Sequence, residues 1–205
     1  MELRPGLKDV RRPAELMHAY ITLSLLCGLR TEEARALQWA HVDLDGDPAA
    51  SPPVPPHIAV WRSVRTHGDT KTQRSRRTLG LPAAAVQALR GWTGSQAGER
   101  LAAGDDWQNT GLVFTSHLGA ALDAGNVRKT FERICTEAGA GDGWTPRELR
   151  TTFVCLMSHQ VVAIEEIARL AGHATTRTTE IVYRRELRPV ITTGAEIMDQ
   201  LFAET

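Results

Sequence analysis

The spacing of helix start and stop signals constrains this chain more than any other feature. Thr145, Pro146 and Glu148 form the strongest of them: a capping Thr, a Pro whose missing N–H costs nothing at the first helical position, and a Glu that reaches back to the cap. They predict a helix running to about Ser158. Pro13, Ala14 and Glu15 make a good first turn for the apolar run 16–26, which Gly28 stops. Thr31 caps a second helix with Glu32 and Glu33 at the positive end of its dipole, and Leu37 and Trp39 close it. Arg30 is thereby pinned in a tight helix-to-helix turn. Further helices are expected from Pro82 to about Trp92, extended loosely over 96–103, and over 123–138, where Val127, Thr130, Phe131 and Ile134 recur at helical spacing. Another spans 164–171 and ends at Gly172, and helical pattern resumes over 178–187 and 196–202.

β-favouring residues cluster at 41–44, 58–64 and 76–81, which predicts a small three-stranded sheet, and 112–114 reads as a short strand or extended piece. Residues 45–56 carry five prolines (Pro48, Pro52, Pro53, Pro55, Pro56); they suit either a PxxP ligand or an extended surface loop, and the loop is the favoured reading. No repeat and no second core is evident, and 205 residues are enough for one. The expected architecture is mainly α with a small antiparallel three-stranded sheet.

Lys plus Arg and Asp plus Glu number 24 each, so the average charge names no partner. Between Val60 and Gly80, however, Arg62, Arg65, Lys71, Arg74, Arg76 and Arg77 face a single acid, Asp69, a local footprint suited to a phosphate backbone. Cys27, Cys135 and Cys155 form no CxxC pair and read as reduced thiols, neither a disulfide frame nor a zinc site. The longest apolar run, 19–29, is interrupted by Thr22, Ser24 and Gly28 and is too short to span a bilayer; a soluble cytoplasmic protein with no membrane partner is expected.

Five motifs follow one another along the chain: Gly28-Leu29-Arg30-Thr31-Glu32-Glu33, Thr70-Lys71-Thr72, Thr145-Pro146-Arg147-Glu148-Leu149-Arg150, Leu170-Ala171-Gly172-His173, and Tyr183. In this order they resemble the catalytic domain of the tyrosine recombinase, or phage integrase, family, over roughly residues 13–202. The resemblance implies that Arg30 and Arg150 bind the scissile phosphate, that His173 adds a further phosphate donor or orients the site, that Glu33 is an accessory acid, and that Lys71 protonates the leaving 5′-oxygen. It further implies Tyr183 as the nucleophile that forms a 3′-phosphotyrosine, with no metal and no other cofactor. The chemistry suits the residue types: planar guanidinium forks match the non-bridging oxygens, and each preorganised donor is typically worth ~10²–10³ in rate. Tyr20 lies within an apolar helix and reads as core, whereas Tyr183 precedes Arg184 and Arg185.

Two positions depart from the family pattern. Arg147 stands where the family has the histidine of HxxR, one helical turn before Arg150 and on its face; it is unable to do a histidine's acid–base work and is expected either to bind phosphate instead or to slow the chemistry. Thr151 likewise replaces a frequent histidine, and the gap from His173 to Tyr183 is one residue longer than usual. Arg62, Arg65, Arg74, Arg76 and Arg77 are the expected DNA-backbone contacts. Family members carry a core-binding domain before the catalytic one; here residues 1–12 read as a leader or linker remnant and 13–205 as the catalytic domain. Alone it is expected to hold double-stranded DNA weakly and with strong salt dependence. Residues 196–202, with Ile197, Met198, Leu201 and Phe202 as an apolar face, suit either exchange with a neighbouring subunit or packing at home. The rival readings are a non-catalytic DNA-binding remnant and a nicking-closing enzyme similar to type IB topoisomerases.

Overall fold

The computed structural model describes residues 6–61, 63–64, 76–173, 175–177 and 179–180. In chain order the elements are α1 (Gly6–Cys27), α2 (Thr31–Ala36), β1 (Val42–Asp43), β2 (His57–Val60), β3 (Arg77–Gly80), α3 (Ala83–Ala103), α4 (Ala124–Glu137), α5 (Pro146–His159) and α6 (Ile164–Ala171). This is the mainly helical architecture with one small sheet that the sequence leads one to expect.

Helix α1 starts at Gly6, seven residues before Pro13. A Pro suits the first turn of a helix, which is why the sequence places the start at Pro13; in the structure the helix runs through it, without the backbone bond that an N–H at that position would make. Leu16, Tyr20, Leu23 and Cys27 recur at helical spacing and are buried. That face packs on α3 and α5. Tyr20 meets the Phe114 ring edge-on at 5.2 Å, so it is a core residue, as its setting in the sequence suggests.

The sheet is antiparallel in the order β1-β2-β3, with Val42 opposite Ile58 and Val60 opposite Arg77. Ile58, Val60 and Leu79 turn into the core. Two-residue alternation then puts Arg77 on the same inward face as Leu79, with Arg76 and Thr78 exposed. The proline-rich segment is a surface loop, closed where Asp47 and Val54 exchange backbone hydrogen bonds of 2.8 and 2.9 Å.

Helix α3 is continuous through Gly91, Gly94 and Gly98, where the sequence pattern extends the helix beyond Trp92 only loosely. Each such glycine costs about 1 kcal/mol relative to alanine. Buried polar contacts offset that cost. Trp92 Nε1 donates to the Val113 carbonyl at 2.6 Å, and the Gln96 amide donates to Thr115 Oγ1 at 2.9 Å while accepting from Trp39 Nε1 at 2.6 Å. The segment around Val113 is therefore extended and held by side chains; its backbone pairing is an isolated bridge between Gln38 and Leu112.

Helices α1 and α6 end alike. Gly28 (φ 59°) follows α1 and Gly172 (φ 65°) follows α6, both left-handed. The next residue donates back into the last turn: Leu29 N–H to the Ser24 carbonyl at 3.2 Å, His173 N–H to the Ala168 carbonyl at 2.8 Å. A Cβ on Gly28 would lie 2.5 Å from the Phe153 ring of α5. Gly28→Ala therefore adds the penalty of left-handed backbone to an overpacked contact and is expected to cost about 2–4 kcal/mol. Urea unfolding checks this; a loss below about 1 kcal/mol would mean that Phe153 moves aside freely.

Candidate active site

A carboxylate buried in a core is tolerated only when charges and donors surround it. Glu33, on the first turn of α2, has a side chain 2% exposed, and its carboxylate accepts from the Arg77 guanidinium through both oxygens, at 3.1 and 2.9 Å. Arg30 adds its backbone N–H at 2.9 Å and Nη1 at 2.5 Å. Burial by itself would raise the Glu33 pKa; the hydrogen bonds and charge of Arg77, and then Arg30, outweigh it and hold the carboxyl below its ordinary value. Glu33 is thus an anion at neutral pH that orients two arginines.

Three guanidiniums are gripped by carbonyls at the ends of α1 and α6, where helix dipoles favour cations. Arg150, in α5, donates through Nη1 to the Gly28 carbonyl at 2.7 Å. Arg30 donates through Nη2 to the Gly172 carbonyl at 2.5 Å, and Arg77 through Nε to the Leu170 carbonyl at 2.7 Å. Gly172 permits this closeness, since a Cβ there would lie 2.7 Å from Arg77 Nη1. The two glycine turns thus cross-link the arginines: the turn beside Arg30 holds Arg150, and the turn before His173 holds Arg30.

Arg150 is 9% exposed, and its Nη2 is buried with no hydrogen-bond partner among the described residues. Burial first, then the charges of Arg30 and Arg77, push its pKa down to about 9, so it remains cationic at neutral pH. His173 lines an open groove with Arg76, Arg77, Arg169, Thr175 and Thr176. Burial and the nearby charges of Arg150, Arg30 and Arg77 bring its pKa to about 4. The ring is therefore neutral above about pH 5. The unfolded chain, with an ordinary value of 6.5, binds more protons between those limits, so His173 makes stability fall as pH drops from 6.5 toward 4. An NMR titration is expected to place the His173 midpoint below pH 5; a midpoint at or above 6 would contradict the packing of the three arginines around it.

The structure brings together Arg30, Glu33, Arg150 and His173 from the expected set. Arg77, expected among the DNA-backbone contacts, is not presented to solvent: its side chain is 7% exposed and engaged with Glu33. The strand alternation that turns it inward was the signal available in the sequence. Arg76 remains exposed beside the groove. Arg147, on the first turn of α5, is exposed while Arg150 one turn later is buried. Lys71 and Tyr183, together with Arg62, Arg65, Arg74 and the segment 196–202, lie outside the described residues.

Comparison with known proteins places this arrangement. The model of the phage integrase family matches residues 11–188. An integrase of Streptomyces ambofaciens is 57% identical over 188 residues, which are 91% of this chain and 48% of the relative. A tyrosine recombinase XerC-like protein of Caldanaerobacter subterraneus subsp. tengcongensis is 26% identical over 210 residues, covering 98% of this chain and 52% of that protein. The chain spans about half the length of these curated relatives. Among solved structures, the Tn1549 transposon integrase in complex with transposon right-end DNA matches with a TM-score of 0.67 at 16% identity, over 99% of this chain and 66% of that one. The XerA recombinase crystal structure matches with a TM-score of 0.62 at 22% identity, over 98% and 66%. At these identities the structural likeness shows a shared fold.

Proposed function

Since this chain belongs to the phage integrase family, we propose that it is the catalytic part of a site-specific recombinase, residues 13–205, that cleaves and rejoins double-stranded DNA through a 3′-phosphotyrosine on Tyr183. One observation carries the reading: among the described residues a single carboxylate, Glu33, stands among three guanidiniums, and one of these, Arg150, keeps a buried donor that no described residue accepts. An unsatisfied buried donor costs about 1–3 kcal/mol, and more when charged, which a phosphate oxygen would recover.

In this reading Arg30 and Arg150 bind the non-bridging oxygens, and neutral His173 adds a hydrogen bond. The phenolic oxygen of Tyr183 gives up its proton to solvent and attacks phosphorus in line, the bond to the 5′-oxygen breaks, and Lys71 gives that oxygen a proton. The phosphotyrosine preserves the bond energy, so a 5′-hydroxyl reverses the step. The chain has one other tyrosine, Tyr20; it is fully buried and its phenol pKa is raised by that burial, which supports Tyr183 as the nucleophile. Exposed Arg76 and Arg147 are assigned to the DNA backbone, and Arg62, Arg65 and Arg74 to the same role on their charge alone. The protein would act on DNA in the cytoplasm and self-associate there through residues 196–202. No helix among the described residues is long and apolar enough to cross a membrane.

The test is a duplex carrying the attachment site and a nick placed so that the cleaved end diffuses away. A protein–DNA band that survives denaturing electrophoresis is expected. DNA binding without such a band, where a full-length relative yields one on the same duplex, would favour a non-catalytic DNA-binding protein.

A further inference from the structure

We propose that Thr179 is a positioning residue that fixes the tautomer of His173, holding Nδ1 as an acceptor so that Nε2 carries the ring proton. The inference deepens the recombinase reading and rests on it only for its kinetic consequence.

His173 Nδ1 and Thr179 Oγ1 lie 2.7 Å apart. Two arrangements fit that distance: the hydroxyl donates to Nδ1, or Nδ1–H donates to the hydroxyl. Burial decides between them. Thr179 is 0% exposed, and among the described residues its hydroxyl has no partner except the imidazole. If Nδ1 held the proton, the hydroxyl hydrogen would be left buried and unsatisfied, at a cost of about 1–3 kcal/mol. If the hydroxyl donates, both groups are satisfied and the proton sits on Nε2.

The neutrality of the ring makes this choice matter. Burial and the cluster of Arg150, Arg30 and Arg77 keep His173 unprotonated at neutral pH, so the ring has one N–H to offer and its location is set by Thr179. A neutral donor also adds no fourth cation beside the three guanidiniums. The backbone fixes the other end of the device, since the His173 N–H is held by the Ala168 carbonyl at 2.8 Å. Sequence motifs name the histidine, yet nothing in the motif indicates that a hydroxyl six residues on orients it.

The experiment uses the full chain, labelled with ¹⁵N at the histidine ring nitrogens. His173 is assigned by its loss in His173→Gln, and its tautomer is read from long-range ¹H–¹⁵N correlations at pH 7 without DNA. The wild type is expected to show the proton on Nε2. Thr179→Val should give a mixture or the Nδ1–H form, and Thr179→Ser should keep the wild-type pattern. In single-turnover cleavage of the nicked duplex, Thr179→Val is expected to fall roughly tenfold, part of the ~10²–10³ that complete loss of such a donor costs, with Thr179→Ser restoring the rate. A proton on Nδ1 in the wild type overturns the proposal whether or not Thr179→Val folds, as does an unchanged Nε2–H form in a folded Thr179→Val. If the chain proves not to cleave DNA, the tautomer measurement still decides the matter.

Discussion

Glu33→Gln is expected to destabilise the chain by about 3–5 kcal/mol, the cost of removing one partner from a buried, hydrogen-bonded ion pair. Gln keeps the shape and one acceptor oxygen, but it removes the only carboxylate described among Arg30, Arg77 and Arg150, and its NH₂ faces a guanidinium donor. Urea unfolding measures the loss. Arg77→Met alone is expected to be similarly costly, because it leaves Glu33 with Arg30 as its remaining described partner. The double variant should cost less than the sum of the two, since each single change already breaks the Glu33–Arg77 pair. The pH dependence has a definite sign. The Glu33 pKa is lower in the folded chain than its ordinary 4.5, so its stabilisation is complete above that pH and is lost as pH falls through the folded value. A Glu33→Gln cost below about 1 kcal/mol at pH 7 would show that the ion pair does not hold the site together.

The second large effect concerns Arg150. Arg150→Ala is expected to lower single-turnover strand cleavage by ~10²–10³, the usual consequence of removing one preorganised donor to developing negative charge. Stability should change far less. The substitution leaves the Gly28 carbonyl without its 2.7 Å donor, but it also removes a buried cation that the charges of Arg30 and Arg77 oppose. Arg150→Lys is not expected to rescue the rate. A lysine has one point of charge, whereas the guanidinium holds the Gly28 carbonyl with Nη1 and retains Nη2 for a phosphate oxygen. A variant that folds and cleaves within threefold of the wild type would remove Arg150 from the proposed machinery.

These two expectations separate what the sequence made legible from what it did not. Arg30, Glu33, Arg150 and His173 were legible because their motifs, in this order, resemble those of the phage integrase family, and the punctuation of the helix ends places them. A left-handed glycine precedes Arg30 and His173 closely, and the Thr145–Glu148 capping box fixes the start of the helix that carries Arg150. Arg77 was read as one member of a basic strip because composition weighs a run of arginines together. Strand alternation sends neighbouring Arg76 and Arg77 to opposite faces, and only the inward one reaches Glu33. The carbonyls of Gly28, Leu170 and Gly172 that grip the arginines leave no mark in a side-chain sequence at all. Helix α3 shows the same limit from the other side. Its sequence pattern loosens after Trp92, and the bonds from Trp92 and Gln96 to residues some twenty positions away keep it whole.

The most direct test of the account is to map the covalent bond. The complex trapped on the nicked duplex would be digested with nuclease and trypsin, and the peptides examined by mass spectrometry, alongside Tyr183→Phe. The account predicts a nucleotide attached through a 3′-phosphate to the peptide of residues 178–184, at Tyr183, and no adduct in Tyr183→Phe. An adduct on any other residue, or one that persists in Tyr183→Phe, would contradict it.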